Sequence, residues 1–275
     1  MTAIGRVGSR RPIGRPGAIA TRRSLRVLEH DLLVFRRSWH GYLLSGLSQP
    51  FLYLLAMGVG LGVYVKRNGG LPGGVSYLAY IAPALLVTQA MMAAAFEAAW
   101  PIMGKIHWDK TYMAALNTPL SALDLLAGDL MWIGFRATLL SVLFLIVIVV
   151  LGAAASPLVI LAVPVAVLTA IAFAAPIMAF TATQEGDSGF NALFRFGITP
   201  LFLFSGTFFP IEKLPFFLQP LAWITPLYHG VAAARALSLG QVEPVGLTVH
   251  IAVLVVTAVA GLTVARITFR RRLVV

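Results

Sequence analysis

Three ionisable residues stand inside otherwise apolar runs of this sequence: Glu97, Asp129 and Arg136. A charge in such a setting must find a partner or give up its proton, so these positions have chemistry to offer. Asp129 and Arg136 are seven residues apart, two helical turns, and so share one helix face. Proton relay and ion-pair clamp are both open to such a set. All three fall near one end of their apolar runs, where a charge costs less than at mid-membrane. We therefore expect a clamp, with Arg136 paired either to Asp129 or to Glu97.

Other chemistries find less support. There is no G-x-x-x-x-G-K-[ST] phosphate loop; the one Gly-Lys pair, Gly104-Lys105, is followed by Ile106. If ATP drives this protein, another polypeptide or domain must hydrolyse it. The chain has no cysteine, and His30, His40, His107, His229 and His250 are scattered. That spacing suggests neither a metal site nor a catalytic triad, so no metal and no catalytic residue is expected.

The richest polar segment runs from Met103 to Tyr112 and contains His107, Trp108, Asp109 and Lys110. Aromatics beside charges suit a docking surface. They also suit an anchor at the lipid interface, and composition alone does not choose between the two. Further on, Thr118-Pro119 with Ser121 and Asp124 reads as a helix start.

These residues need a membrane-embedded helical frame. The chain has 275 residues, 59% hydrophobic and 11% charged, and several unbroken apolar runs of about twenty residues. Backbone groups in hydrocarbon must pair within their own segment, so the runs read as helices. We place six spans at about 41–65, 77–99, 127–151, 158–183, 192–209 and 246–265. The net charge of +11 lies in the N-terminal tail and at span ends, which marks topology, not nucleic-acid binding. With both termini cytoplasmic, sixteen Lys and Arg lie inside and four outside. A seventh span would put the four C-terminal arginines outside, against the positive-inside rule. No cleaved signal is expected, because the first long apolar run starts near Gly41.

Two elements complete the frame. Leu25, Leu28, Leu32, Phe35 and Trp39 form a stripe flanked by arginines, as in an amphipathic helix on the membrane surface. A soluble helix packed on another subunit would share the pattern. The sequence thus divides into a basic tail with interfacial helix, 1–40, and one transmembrane domain, 41–275. Between spans five and six, Pro215, Pro220 and Pro226 break an apolar stretch into short helices, interfacial or re-entrant.

One further pattern is more specific. Phe204-Ser205-Gly206-Thr207-Phe208-Phe209-Pro210 leads through Leu214-Pro215 and Gln219-Pro220 to Thr225-Pro226-Leu227-Tyr228-His229-Gly230 and Arg235. It resembles the C-terminal signature of the type-2 ABC exporter permease family. Within that family it is similar to the branch of nodulation-factor and lipooligosaccharide exporters and their drug-export relatives. Thr111 to Ser121 resembles the family's segment after its cytoplasmic coupling helix, and the likeness covers nearly the whole chain. The segment Gln184-Glu185-Gly186 departs from the family pattern, although Asp187 and Phe190 follow it loosely.

The resemblance implies a permease in a bacterial inner membrane, paired with a second permease and two nucleotide-binding subunits that hold ATP and Mg. This chain would itself hold no cofactor. The resemblance places a coupling helix at Met103–Tyr112, so His107, Trp108, Asp109, Lys110 and Tyr112 would meet the ATPase. The broken helices would form an outer gate with Phe208, Phe209, Glu212, Phe216, Phe217 and Trp223. A lipid-linked glycan, a glycolipid or an amphipathic drug would suit its apolar path. Two other classes are weighed beside it. A secondary transporter should show broken helices in both halves. An intramembrane lipid-modifying enzyme should gather polar groups at one depth.

Overall fold

A computed structural model describes residues 18–67, 74–217 and 219–273. Among the described residues the chain is all-helical, with no strand. It opens with α1 (Ala18–Tyr53), a π-helical stretch Leu54–Leu61 and α2 (Gly62–Arg67). Helix α1 passes the expected boundary at residues 40–41 without a break, so residues 24–39 are not a separate helix. No proline or cap interrupts the 36 residues of α1 before Pro50, which leaves the backbone no reason to turn at Gly41.

Then come α3 (Tyr77–Met103), α4 (Thr111–Leu116) and α5 (Ala122–Val150). Helix α3 starts where the Ser76 hydroxyl accepts the amide of Ala79. Helix α5 starts on the expected signal, as a capping box. The Ser121 hydroxyl accepts the Asp124 amide at 3.2 Å, and the Asp124 carboxylate accepts the Ser121 amide at 2.9 Å.

Helix α6 (Ala162–Thr181) follows, then α7 (Ser188–Ala192), which continues through a π-helical turn, Leu193–Ile198, into α8 (Thr199–Phe204). The proline-rich stretch holds α9 (Gln219–Ile224) and α10 (Pro226–Leu239). Helix α10 is capped by Thr225 and closed by Gly240 at φ 70°. The last helix is α11 (Pro244–Leu273).

Four helical stretches among the described residues are long and apolar enough to cross a membrane: Tyr77–Trp108, Ala122–Val150, Pro157–Thr181 and Pro244–Leu273. The first expected span falls on the end of α1 and the π-helical stretch after it. The fifth falls on the continuous run of α7 and α8, which rises only about 25 Å at 1.5 Å per residue.

Helix α3 is the centre of the packing: 78% of its apolar window is buried, against 28% for α5 and 17% for α11. It packs most extensively on α6, and both helices bury many small residues, among them Ala84, Ala95, Ala98 and Ala99 in α3 and Ala166, Ala170 and Ala174 in α6. Lipid tails are as apolar as leucine, so close backbone approach and dispersion must hold such helices together, and alanine permits that approach. Helix α1 packs alongside α5, where Gly128 leaves room for Val27; a Cβ there would sit 2.4 Å from the Val27 side chain.

Candidate functional site: a charged node and a glycine turn at opposite ends of the helices

At one pole, α3 does not stop at the membrane end but continues as a π-helical turn, Gly104–Trp108. Lys110 then takes a left-handed conformation, φ 51°, and redirects the chain into α4. This corner leaves Trp108 60% exposed, with Asp109, Lys110 and Met113 exposed beside it. His107 is half-buried, with Nε2 2.9 Å from an Arg272 nitrogen and 3.3 Å from the Gln184 carbonyl. The expected segment thus meets the loop after α6 and the end of α11.

Tyr112 corrects one expectation. It is 2% exposed and turns into the protein, where its hydroxyl donates to Asp129. Burial and the neighbouring carboxylate push that hydroxyl well above its usual pKa, so it stays a donor. The reason for its inward turn is Asp129, a carboxylate only 2% exposed that must have its lone pairs satisfied.

The same carboxylate accepts from Lys105 Nζ at 2.6 Å, and Lys105 also donates to Asp31 at 2.8 Å. One ammonium therefore ties α1, the end of α3 and α5 together, and Tyr112 adds α4. Sequence reasoning missed this node. Lys105 counted there only as a topology charge, and Asp31 went unremarked. The available signal was an acid at Asp31 between Leu28 and Leu32 of an apolar stripe. The side of α1 that meets this node and α5 runs through Ser24, Val27, Asp31 and Phe35, offset by one residue from Leu25, Leu28 and Leu32 and sharing Phe35 with the stripe. Leu25 and Trp39 are exposed, and Leu28, Leu32 and Phe35 are half-buried.

Further along α5, Arg136 pairs with Glu97, and Trp132 Nε1 donates to the other Glu97 oxygen at 2.8 Å. The two options for Arg136 thus resolve to Glu97, because Asp129 is engaged by Lys105 and Tyr112. The Phe35 ring rests against Trp132 at 5.7 Å, so α1 also covers this pair. The side chains of Arg136 and Glu97 are 18% and 13% exposed.

At the opposite pole α8 ends at Phe204 and the chain turns through Gly206, φ 78°, a conformation that favours glycine. Polar groups of this turn are met by other helices and by one another. The Tyr77 hydroxyl donates to the Phe208 carbonyl at 3.2 Å, and the hydroxyls of Thr88 and Ser205 reach that of Thr207 at 3.3 and 3.0 Å. Arg235, from α10, donates to the Gly206 carbonyl at 2.9 Å and to that of Tyr80 at 3.2 Å. Its guanidinium stacks 3.7 Å from the centre of the Tyr80 ring.

The aromatics expected at an outer gate divide here. Phe208 packs inward on Tyr53 and Phe202, at 6.1 and 5.0 Å. Phe209, Phe216, Phe217 and Trp223 are exposed, as is Glu212. His229 holds α9 by donating from Nε2 to the Trp223 carbonyl at 2.8 Å, while its Nδ1 faces His250 on α11.

The sequence is similar to known proteins over most of its length. Residues 25–239 match the family described as "ABC-2 type transporter". The chain is 33% identical to Nodulation protein J of Rhizobium leguminosarum bv. viciae, over 90% of this chain and 94% of that protein. It is 32% identical to Nodulation protein J of Rhizobium leguminosarum bv. trifolii and of Rhizobium meliloti strain 1021, in each case over 90% of this chain and 92% of the relative.

Proposed function

This chain belongs to the ABC-2 type transporter family, and from that premise we propose that it forms the cargo path of an exporter worked by motion delivered at Trp108, Asp109 and Lys110. It is a membrane-located transport subunit, and ATP hydrolysis lies in a separate ATP-binding subunit. The finer reading is a pair of permeases with two ATP-binding subunits that hold ATP and Mg, in a bacterial inner membrane with both termini cytoplasmic. It takes α1 and the α7–α8 run as two further spans, making six, and α9 and α10 as re-entrant. The cargo is a lipid-linked glycan, a glycolipid or an amphipathic drug.

The observation that carries this reading is the corner after α3. An exposed tryptophan flanked by two charges is joined, through Lys105 three residues earlier, to α1 and α5. A partner seated on that corner moves three helices at once. Replacing Trp108 and Asp109 together by alanine should release the ATPase subunit on purification, or leave its ATP hydrolysis unlinked to transport. Unchanged assembly together with unchanged transport would remove the role.

The outer gate has its own test, on a chain that contains no cysteine. Glu212→Cys and Lys213→Cys should react with a membrane-impermeant thiol reagent from outside in every nucleotide state. Phe208→Cys, packed on Tyr53 and Phe202, should react only during ATP turnover. Reaction at 212 and 213 from the cytoplasmic side alone overturns the orientation. Constant reaction at 208 removes the gate.

A further inference from the structure

The continuous helix of α7 and α8 presents an outward polar row. Asn191, Arg195 and Thr199 follow at intervals of four and are all exposed, with Phe196 77% exposed beside them. Arg195 sits in the π-helical turn Leu193–Ile198, a departure from α-geometry that recurs at functional sites. Ring contacts fix its level. Trp100 of α3 lies 5.3 Å from the Phe190 ring and 4.9 Å from the Phe194 ring, on a helix running the opposite way. Arg195 follows Phe194 by one residue, and Glu97 is one turn beyond Trp100 on the opposing helix, so the two stand within about one turn of each other in depth.

No ion pair is found for Arg195 among the described residues, and the carboxylates within the spans are already committed. Glu97 is held by Arg136 and Trp132, Asp129 by Lys105 and Tyr112, and Asp124 by Ser121. A second copy of this chain carries the same commitments at Glu97, Asp129 and Asp124. An unmatched guanidinium on a membrane helix needs an anion, and its planar fork suits phosphate. The apolar company suits a tail: Phe96 is 52% exposed and stacks on Trp100 at 5.0 Å.

We propose that Arg195 binds the phosphate of an anionic amphipathic cargo, whose apolar part lies along Phe96 and Phe196. This rests on the permease reading above and narrows its cargo to molecules with an anionic head.

The test uses the permease with its ATPase subunit in phosphatidylcholine nanodiscs, and two fluorescent probes of one chain length, a lysophosphatidic acid and a monoacylglycerol. The wild type should bind the phosphorylated probe about tenfold more tightly, a preference that Arg195→Gln abolishes and Arg195→Lys largely keeps. Equal binding of both probes by the wild type, or a preference that survives in Arg195→Gln, overturns the proposal. A preference abolished when phosphatidylglycerol is added to the nanodisc assigns Arg195 to bulk headgroups and overturns it too. So does separation of paired permeases in Arg195→Gln, which would make the row a contact between copies. Failure of the ATPase subunit to co-purify with the wild type counts against the permease reading instead, and is scored before any probe is added.

Discussion

Lys105→Met should be among the most damaging single changes in this chain. It removes one ammonium and strands two carboxylates, Asp31 and Asp129, at the meeting of four helices. Taking one partner from a buried charge pair costs about 3–5 kcal/mol, far above the median for surface pairs. The node qualifies as buried: Asp129 is 2% exposed, Asp31 9% and Lys105 22%. The expected result is a large fall in thermal midpoint, and in any surviving complex the separate ATP-binding subunit should hydrolyse ATP without cargo moving. The triple variant Asp31→Asn, Lys105→Met, Asp129→Asn removes the stranded charges and should regain much of the stability. Transport should stay low, because the tie between α1 and α3 is gone. A Lys105→Met protein that melts and transports as the wild type does would dismiss the node.

The second large effect is expected at Glu97 and Arg136. Glu97→Gln leaves a guanidinium at membrane depth without its carboxylate, and Arg136→Gln leaves a carboxylate with only the Trp132 N–H. Each single change should cost toward the lower end of about 3–5 kcal/mol, since both groups keep some exposure. The double neutral variant should cost clearly less than the sum, because two uncharged amides can still bond to each other and to Trp132. Strict additivity in unfolding free energy would mean that the charges do not act as a pair.

What was legible in the sequence followed from local rules. The α5 start at Ser121 and the break of the apolar stretch at its prolines into the short helices α9 and α10 each rest on a few neighbouring residues with one favoured geometry. Glu97 and Arg136 stood out because a charge inside an apolar run is costly wherever the chain goes. The Lys105 node was not legible in the same way. Its members are 24 and 74 residues from Lys105, and only packing decides that Asp31 faces α5 and not water. Tyr112 failed for a related reason, since an aromatic beside charges reads as surface until a buried carboxylate claims its hydroxyl. The continuity of α1 was missed because a change of composition at Gly41 is not a change of backbone.

That unbroken α1 makes the amphipathic segment and the helix beyond it a single lever. Asp31 in its first half is held by Lys105, and Tyr53 at its end touches Phe202 of α8 and Phe208 of the turn at Gly206. The close contact of Val27 with Gly128 supplies a fulcrum. From there to Tyr53 is about 39 Å, while Asp31 lies about 6 Å away, at 1.5 Å per residue. A tilt of about 5° over such an arm swings its far end by roughly 3 Å. A small rotation imposed beside Trp108 would thus arrive, several-fold magnified, at the aromatic packed against Phe208.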